Sequence, residues 1–286
     1  MNLGVLVGGN LGFIVLKHLF QSQNIKFVLT DKKSILIIEF CKTNEIEIFI
    51  GNPRTQSASI FFLNYKIEVL ISVNYLFLIK KDLIELPSKI AFNIHGSLLP
   101  KYRGRTPHVW AIINNENQTG ITAHLIDENC DTGDIIEQLV VKIEKNDTGN
   151  DLLLKYTKLY SPLVDKVLEN ISNNNLTLTP QKNELATYFE KRTPEDGKIN
   201  WNWKKERIIN WVRAQAYPYP GAFSYIKDQK IVIDEVVEFK LKVSSETKSG
   251  IILAVSPKII VNSSNGALEL KRVRETLNVK TGDRLN

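Results

Sequence analysis

The sequence predicts an α/β protein built on a mainly parallel sheet. Three observations predict it. Short apolar runs at 3–7, 27–30, 46–50, 69–73 and 91–94 read as buried strands, and the segments between them are long enough for helices. The strands lack the strict alternation of a half-exposed sheet, as expected when helices cover both faces. With 286 residues, 43% of them hydrophobic, the chain can hold one large domain and a smaller one.

Each element has a local reason. After the first run, Gly8-Gly9-Asn10-Leu11-Gly12 resembles a dinucleotide fingerprint without its spacing, and reads as a tight strand-to-helix turn. The run at 91–94 leads into Asn93 and His95, two apart, so their side chains share a face if the strand continues. Thr106-Pro107 marks a helix start with proline at its first position, and 108–114 reads as that helix. Segments 120–126 and 135–141 read as strands flanking a loop that carries Asp131. Residues 147–172 have apolar positions at helical spacing, and the polar run from Asn173 to Leu185 reads as a connector.

Composition narrows the function classes. The net charge of +6 is uneven: residues 1–186 carry 19 basic against 19 acidic side chains, and 187–286 carry 18 against 12. Scattered surface lysine explains this better than a nucleic-acid footprint. No apolar run approaches a membrane span, and the start has neither the basic region nor the cleavage site of a signal peptide, so a cytoplasmic protein is expected. Cys41 and Cys130 are too few and too isolated for a zinc site or a structural disulfide, and Cys130 reads as a small buried residue. No cluster has metal-ligand spacing, and no metal requirement is expected.

The chemistry concentrates in Phe92-Asn93-Ile94-His95-Gly96-Ser97-Leu98-Leu99-Pro100-Lys101-Tyr102-Arg103-Gly104 and Cys130-Asp131-Thr132-Gly133-Asp134. An amide can donate to an oxyanion, and an imidazole, with an unperturbed pKa of about 6.5, moves protons near neutral pH. A carboxylate can hold that imidazole and favour its charged form. Asn93, His95 and Asp131 therefore suit transfer of an acyl group to an amine. His18 and His124, in a predicted helix and a predicted strand, read as structural.

These residues resemble the folate-dependent formyltransferases, through Asn93-x-His95-Gly96-Ser97-Leu98-Leu99-Pro100 and Asp131-Thr132-Gly133-Asp134. His-Gly-Ser in place of His-Pro-Ser points to the branch of methionyl-tRNA formyltransferase and the sugar-nucleotide N-formyltransferases. The likeness continues at Tyr188-Phe189-Glu190-Lys191-Arg192-Thr193-Pro194-Glu195-Asp196-Gly197, Trp211-Val212-Arg213-Ala214 and Pro218-Tyr219-Pro220-Gly221-Ala222-Phe223, covering nearly the whole chain. It is similar to the formyltransferase half of bifunctional enzymes acting on UDP-4-amino-arabinose, without their decarboxylase half. The resemblance implies a Rossmann-like formyltransferase domain over 1–186, then a linker and small OB-like open β-barrel over 187–286. The runs at 222–226, 231–239, 250–255, 259–261 and 267–273 are compatible with that barrel.

The resemblance further implies 10-formyltetrahydrofolate as formyl donor. It assigns Asn93 to transition-state stabilisation, His95 to proton transfer and Asp131 to favouring the charged form of His95. Folate contacts fall on the backbone at Phe77, Leu78 and Ile79, on Arg105, and on the loop Asp127, Glu128, Asn129, Cys130 and Asp131. Arg103 and Arg105 can hold a diphosphate, since arginine suits bidentate phosphate contacts. His108 and Trp110 either contact the acceptor or pack their helix. Trp201, Trp203, Trp211 and Tyr217 read as packing residues in preference to a base-stacking platform.

The expected acceptor is a nucleotide-linked amino-dideoxy sugar, with a dTDP-linked 4-amino-4,6-dideoxyhexose ahead of its 3-amino isomer, for surface polysaccharide (lipopolysaccharide O-antigen). The basic loop with which the tRNA enzymes clamp their substrate is missing after Thr30. Two alternatives stand: methionyl-tRNA formyltransferase, and a non-catalytic folate- or nucleotide-binding protein. No nucleic-acid or membrane partner is expected. A homodimer is the commonest soluble assembly, although the family includes monomers.

Overall fold

The structure is a computed structural model that describes all residues from Met1 to Asn286. The chain forms two compact units, neither continuous in sequence. The first comprises Met1–Gly104, Gly120–Val141 and Lys155–Phe189; the second comprises Arg105–Thr119, Lys142–Leu154 and Glu190–Asn286. Segments 105–119 and 142–154 pack on the helix of the second unit: Gly149 lies against the Ala214 backbone, and Asn210 Nδ2 donates to Asn115 Oδ1 at 2.9 Å.

The first unit is built on β1 (Asn2–Val7), β2 (Asn24–Thr30), β3 (Ile48–Ile50), β4 (Val69–Val73), β5 (Ile90–His95), β7 (Gln118–Leu125) and β8 (Ile135–Lys142). The last two are numbered around the short β6 (Arg103–Gly104), which pairs with β9 (Tyr188–Phe189). The seven-stranded order is β3-β2-β1-β4-β5-β7-β8. All pairs from β3 to β5 are parallel, and β7 runs antiparallel to β5. The central parallel strands β1 and β4 are buried on both faces, as their largely aliphatic sequences require, while the edge strand β3 stays partly exposed.

Helices α1 (Gly9–Phe20), α2 (Ile35–Thr43), α3 (Gln56–Phe62) and α4 (Lys81–Ile84) connect these strands. In α1 the buried residues are Gly12, Val15, Leu16 and Leu19, the stripe a covering helix needs. The expected strand 46–50 is shorter by two residues. Ile46 gives its N–H to Cys41 O at 2.9 Å, completing the end of α2 before β3 can begin. The Gly8 turn is tight as expected, and Asn74 Nδ2 closes it by donating to Gly8 O at 2.9 Å. The crevice where strand order reverses, between the ends of β1 and β4, is thus bridged by protein.

The second unit contains α5 (Pro107–Ile113), the start of α6 (Gly149–Ser172), α7 (Lys205–Ala214), and strands β10 (Ala222–Ile226), β11 (Gln229–Phe239), β12 (Ile252–Ala254), β13 (Ile259–Ser263) and β14 (Gly266–Val273). The strands form one antiparallel sheet in the order β10-β11-β14-β13-β12. Register shifts around Glu235 on β11 and between Ile252 and Ala254 on β12 bend it toward the OB-like open barrel. Trp201 and Trp211 are buried inside this unit, donating to Ser224 Oγ at 2.9 Å and Gly197 O at 3.1 Å, and Trp203 meets Trp211 edge-on at 4.8 Å. These three pack, as expected. Tyr217 does not, being 73% exposed.

Candidate active site

Strand register assembles the site. Asn93 of β5 lies opposite His124 of β7, and His95 lies opposite Thr122. Directly opposed residues of an antiparallel pair share a face, so Asn93, His95, Thr122 and His124 project to one side of the sheet. His95 ends its strand. The parallel β4 and β5 finish at the same sheet edge, the usual place for a ligand in such a fold.

His95 is buried, and its Nε2 donates to the Tyr102 carbonyl at 2.7 Å. That bond places the ring proton on Nε2 and turns Nδ1 toward Asp131 Oδ2, 3.5 Å away. The carbonyl is held in place: Tyr102 has φ 61°, its N–H donates to Thr187 Oγ1 at 2.8 Å, and its ring stacks on Phe189 at 5.0 Å. A bulky residue in this left-handed region is a strained conformation, and such residues collect at functional sites.

Asp131 has φ 58°, a conformation aspartate tolerates, and its Oδ2 accepts from Gly104 N at 2.9 Å and Cys130 Sγ at 3.3 Å. Burial opposes its charge, but the His95 and His124 imidazoles, the Gly104 N–H and the Cys130 thiol outweigh it and hold the carboxyl below the usual carboxylate range. Two glycines make this approach feasible. A Cβ on Gly104, at φ +101°, would lie 2.2 Å from Phe189 O; one on Gly133 would lie 2.0 Å from Leu125 O. Gln181 secures the loop, its Nε2 donating to Asp131 O at 3.0 Å and Gly133 O at 2.7 Å.

His124, read from sequence as structural, stands inside this cluster. Its Nε2 is 3.1 Å from Asn93 Nδ2 and 3.6 Å from Asp131 Oδ1. A signal was present: Thr122 and His124 are polar residues two apart, alternating with apolar Ile121, Ala123 and Leu125, the same pattern as Asn93 and His95. His18 is outside the cluster, paired with Asp165 at 2.8 Å.

Two readings of individual residues need correction. Arg103 is 1% exposed and its guanidinium is fully engaged inside the protein. It donates from Nε and Nη2 to Gln181 Oε1 at 3.1 and 2.7 Å, from Nη2 to Asn183 Oδ1 at 3.0 Å, and from Nη1 to the Tyr188 hydroxyl. An arginine so committed cannot also grip a diphosphate. Cys130 is exposed instead of buried, because the turn at 128–130 stands out from the sheet.

The segment after β4 suits a flat apolar ligand. Leu76 and Leu78 are about half exposed, while Tyr75 and Ile79 pack against the core. In the other proposed folate loop, Thr132 Oγ1 and Asn129 N both donate to Asp127, and Glu128 and Asn129 are exposed. Arg105, His108 and Trp110 belong to the second unit. Arg105 is exposed, His108 Nε2 lies 2.9 Å from the Tyr219 hydroxyl, and the Arg192 guanidinium sits 5.0 Å over the Trp110 ring.

Burial pushes His108 and His124 down to about 4, with Asp131 only partly offsetting this at His124. A folded-state value below the free imidazole value means that the unfolded chain takes up protons the folded protein refuses. Stability is then full above about pH 6.5 and falls as pH drops toward about 4, by up to about 1.4 kcal/mol per pH unit for each histidine. Urea melts at pH 7.5 and pH 5 check this, and equal midpoints would refute it.

The family signature described as "Formyl transferase" matches residues 51–167, which include Asn93, His95 and Asp131. "Formyl transferase, C-terminal domain" matches residues 191–281. Over 276 residues the chain is 34% identical to the "Bifunctional polymyxin resistance protein ArnA" of Wigglesworthia glossinidia brevipalpis, covering 93% of this chain and 40% of that protein. The chain thus spans well under half of that relative. Among solved structures, the fold is similar to that of WlaRD, described as a sugar 3N-formyl transferase in the presence of dTDP and 5-N-formyl-THF. The TM-score is 0.69 and the identity 24%, over 97% of this chain and 99% of that one. It is similar also to an N-formyltransferase from Helicobacter canadensis in complex with folinic acid and dTDP-3-aminofucose, with TM-score 0.69 and 23% identity over 94% and 98% of the two chains. Matched in both its parts by the signatures of one family, the chain belongs to the formyl transferase family.

Proposed function

We propose that this protein is a sugar-nucleotide N-formyltransferase, moving a formyl group from 10-formyltetrahydrofolate to the amine of a dTDP-linked amino-dideoxy sugar. The observation that carries the reading is the convergence of Asn93, His95 and Asp131 on one face at the end of β5. An amine attacking a formyl carbon develops negative charge on oxygen and sheds a proton from nitrogen. Asn93 donates its amide to the oxyanion. His95, already donating Nε2–H to Tyr102 O, receives the proton at Nδ1, where Asp131 stabilises the resulting charge. The proton then passes to the folate nitrogen as the formyl C–N10 bond breaks and tetrahydrofolate leaves. The apolar segment Phe77, Leu78, Ile79 and the loop Asp127, Glu128, Asn129, Cys130, Asp131 hold the folate. His108 and Trp110 remain candidates for contact with the acceptor.

A sugar nucleotide is favoured over initiator tRNA by the turn between β2 and α2. It spans only four residues, with Asp31 Oδ1 accepting from Lys33 N and Asp31 Oδ2 from Ser34 Oγ, and leaves no basic clamp. WlaRD and the Helicobacter protein support the dTDP reading by what they were crystallised with. The 4-amino and 3-amino isomers both belong in the assay.

The test is incubation with 10-formyltetrahydrofolate and either a panel of 3- and 4-amino dTDP and UDP sugars or methionyl-tRNA, with product mass as readout. We expect a formylated sugar nucleotide and a shallow fall of activity with salt, because only two phosphates are engaged. Formylated methionyl-tRNA with a steep salt dependence, and no modified sugar, would replace this reading by the tRNA one. Folate binding without transfer to any acceptor would favour the non-catalytic alternative.

A further inference from the structure

His124 has no task in the chemistry just described, yet its environment fixes both of its ring nitrogens. Nδ1 is 2.8 Å from the Leu125 carbonyl oxygen, which can only accept, so Nδ1 carries the proton and donates it. The opposite tautomer would put a lone pair against that oxygen at 2.8 Å, in exchange for a contact to Asp131 Oδ1 at 3.6 Å, beyond hydrogen-bond range. Nε2 is therefore a lone pair, and the atom facing it 3.1 Å away is Asn93 Nδ2. The register that opposes residues 93 and 124 holds both backbones. His124 is 3% exposed, and burial keeps its ring neutral and able to accept.

An asparagine amide has two nearly isosteric ends, one donating and one accepting, and only the donor stabilises an oxyanion. We infer that His124 is a positioning residue, which accepts one N–H of Asn93 at Nε2 and so sets which end of the amide is the donor and leaves its second N–H for the oxyanion. The inference rests on the oxyanion role proposed for Asn93. Without the Nε2 lone pair the amide can turn over and present its oxygen to the developing negative charge. The effect appears in the transition state, where that charge exists, and not in binding of donor or acceptor.

The test is a double-mutant cycle on the whole protein with Asn93→Ala, His124→Phe and His124→Gln. Phenylalanine keeps the ring volume and removes the acceptor; glutamine places an amide oxygen near the position of Nε2. His124→Phe is expected to lower kcat about 10- to 100-fold with KM for both substrates within about threefold, short of the roughly 10²- to 10³-fold loss typical of removing an oxyanion donor. His124→Gln should recover at least part of that loss. In the Asn93→Ala background, His124→Phe should have no further effect, because the group it orients is gone. Wild-type kcat in a folded His124→Phe, multiplicative losses in the double variant, or His124→Gln as impaired as His124→Phe would each overturn the inference. If His124→Phe does not fold, His124→Leu, which also lacks the acceptor, takes its place in the cycle under the same criteria. Wild-type kcat in Asn93→Ala is a different failure: it removes the oxyanion role itself.

Discussion

His95→Asn and Asp131→Asn each lower turnover by about 10²- to 10⁴-fold, the range for losing a positioned acid–base group, while melting temperature and folate binding stay close to wild type. The expectation follows from where the two side chains stand. Asparagine at 95 cannot receive a proton at the position of Nδ1, 3.5 Å from Asp131. Asparagine at 131 keeps an oxygen for the Gly104 N–H but loses the charge that stabilises a protonated ring. Because the two residues act on one proton, the double variant should be little worse than either single one. Steady-state kinetics with 10-formyltetrahydrofolate, beside a thermal melt and a folate titration, give the answer. Turnover within tenfold of wild type in either variant would remove the residue from the mechanism.

Arg103→Leu produces the second large effect, and on stability. The substitution removes the donors that satisfy Gln181 Oε1, Asn183 Oδ1 and the Tyr188 hydroxyl. Asn183 and Tyr188 are exposed and can turn to water, so the cost is that of the lost charge-assisted hydrogen bonds of buried Arg103, about 1.5–3 kcal/mol, or a fall in melting temperature of roughly 3–12 °C for a unit of this size. Turnover should fall too, through a chain of contacts. Gln181, freed from Arg103, no longer secures the carbonyls of Asp131 and Gly133. Acceptor affinity should be unchanged at temperatures where the variant is folded. An unaltered melt with a raised acceptor KM would mean that Arg103 binds diphosphate after all.

Much of this protein was legible before folding. The parallel strands announced themselves as apolar runs bounded by turns, and α1 by its stripe of Gly12, Val15, Leu16 and Leu19. Asn93 and His95 could be placed on one face because side-chain direction along a strand has a period of two, a purely local property. Their pairing with Asp131 was legible only through family resemblance, since it lies 36 positions beyond His95 along the chain. The shortened β3 was hidden for a different reason: an N–H of Ile46 serves either a strand or a helix end, and composition cannot choose.

By itself, then, the sequence determined the strands, the covering helices, the face shared by Asn93 and His95, and through its motifs the family. The tertiary structure decided what depends on register and burial. It placed His124 opposite Asn93, spent Arg103 on Gln181, Asn183 and Tyr188, lifted Cys130 to the surface, and drew 105–119 and 142–154 into the second unit. The physical reason is range. Alternation and helical periodicity are fixed by neighbouring residues, whereas the partner of a buried polar group is chosen among atoms that only the packed chain brings within about 3 Å.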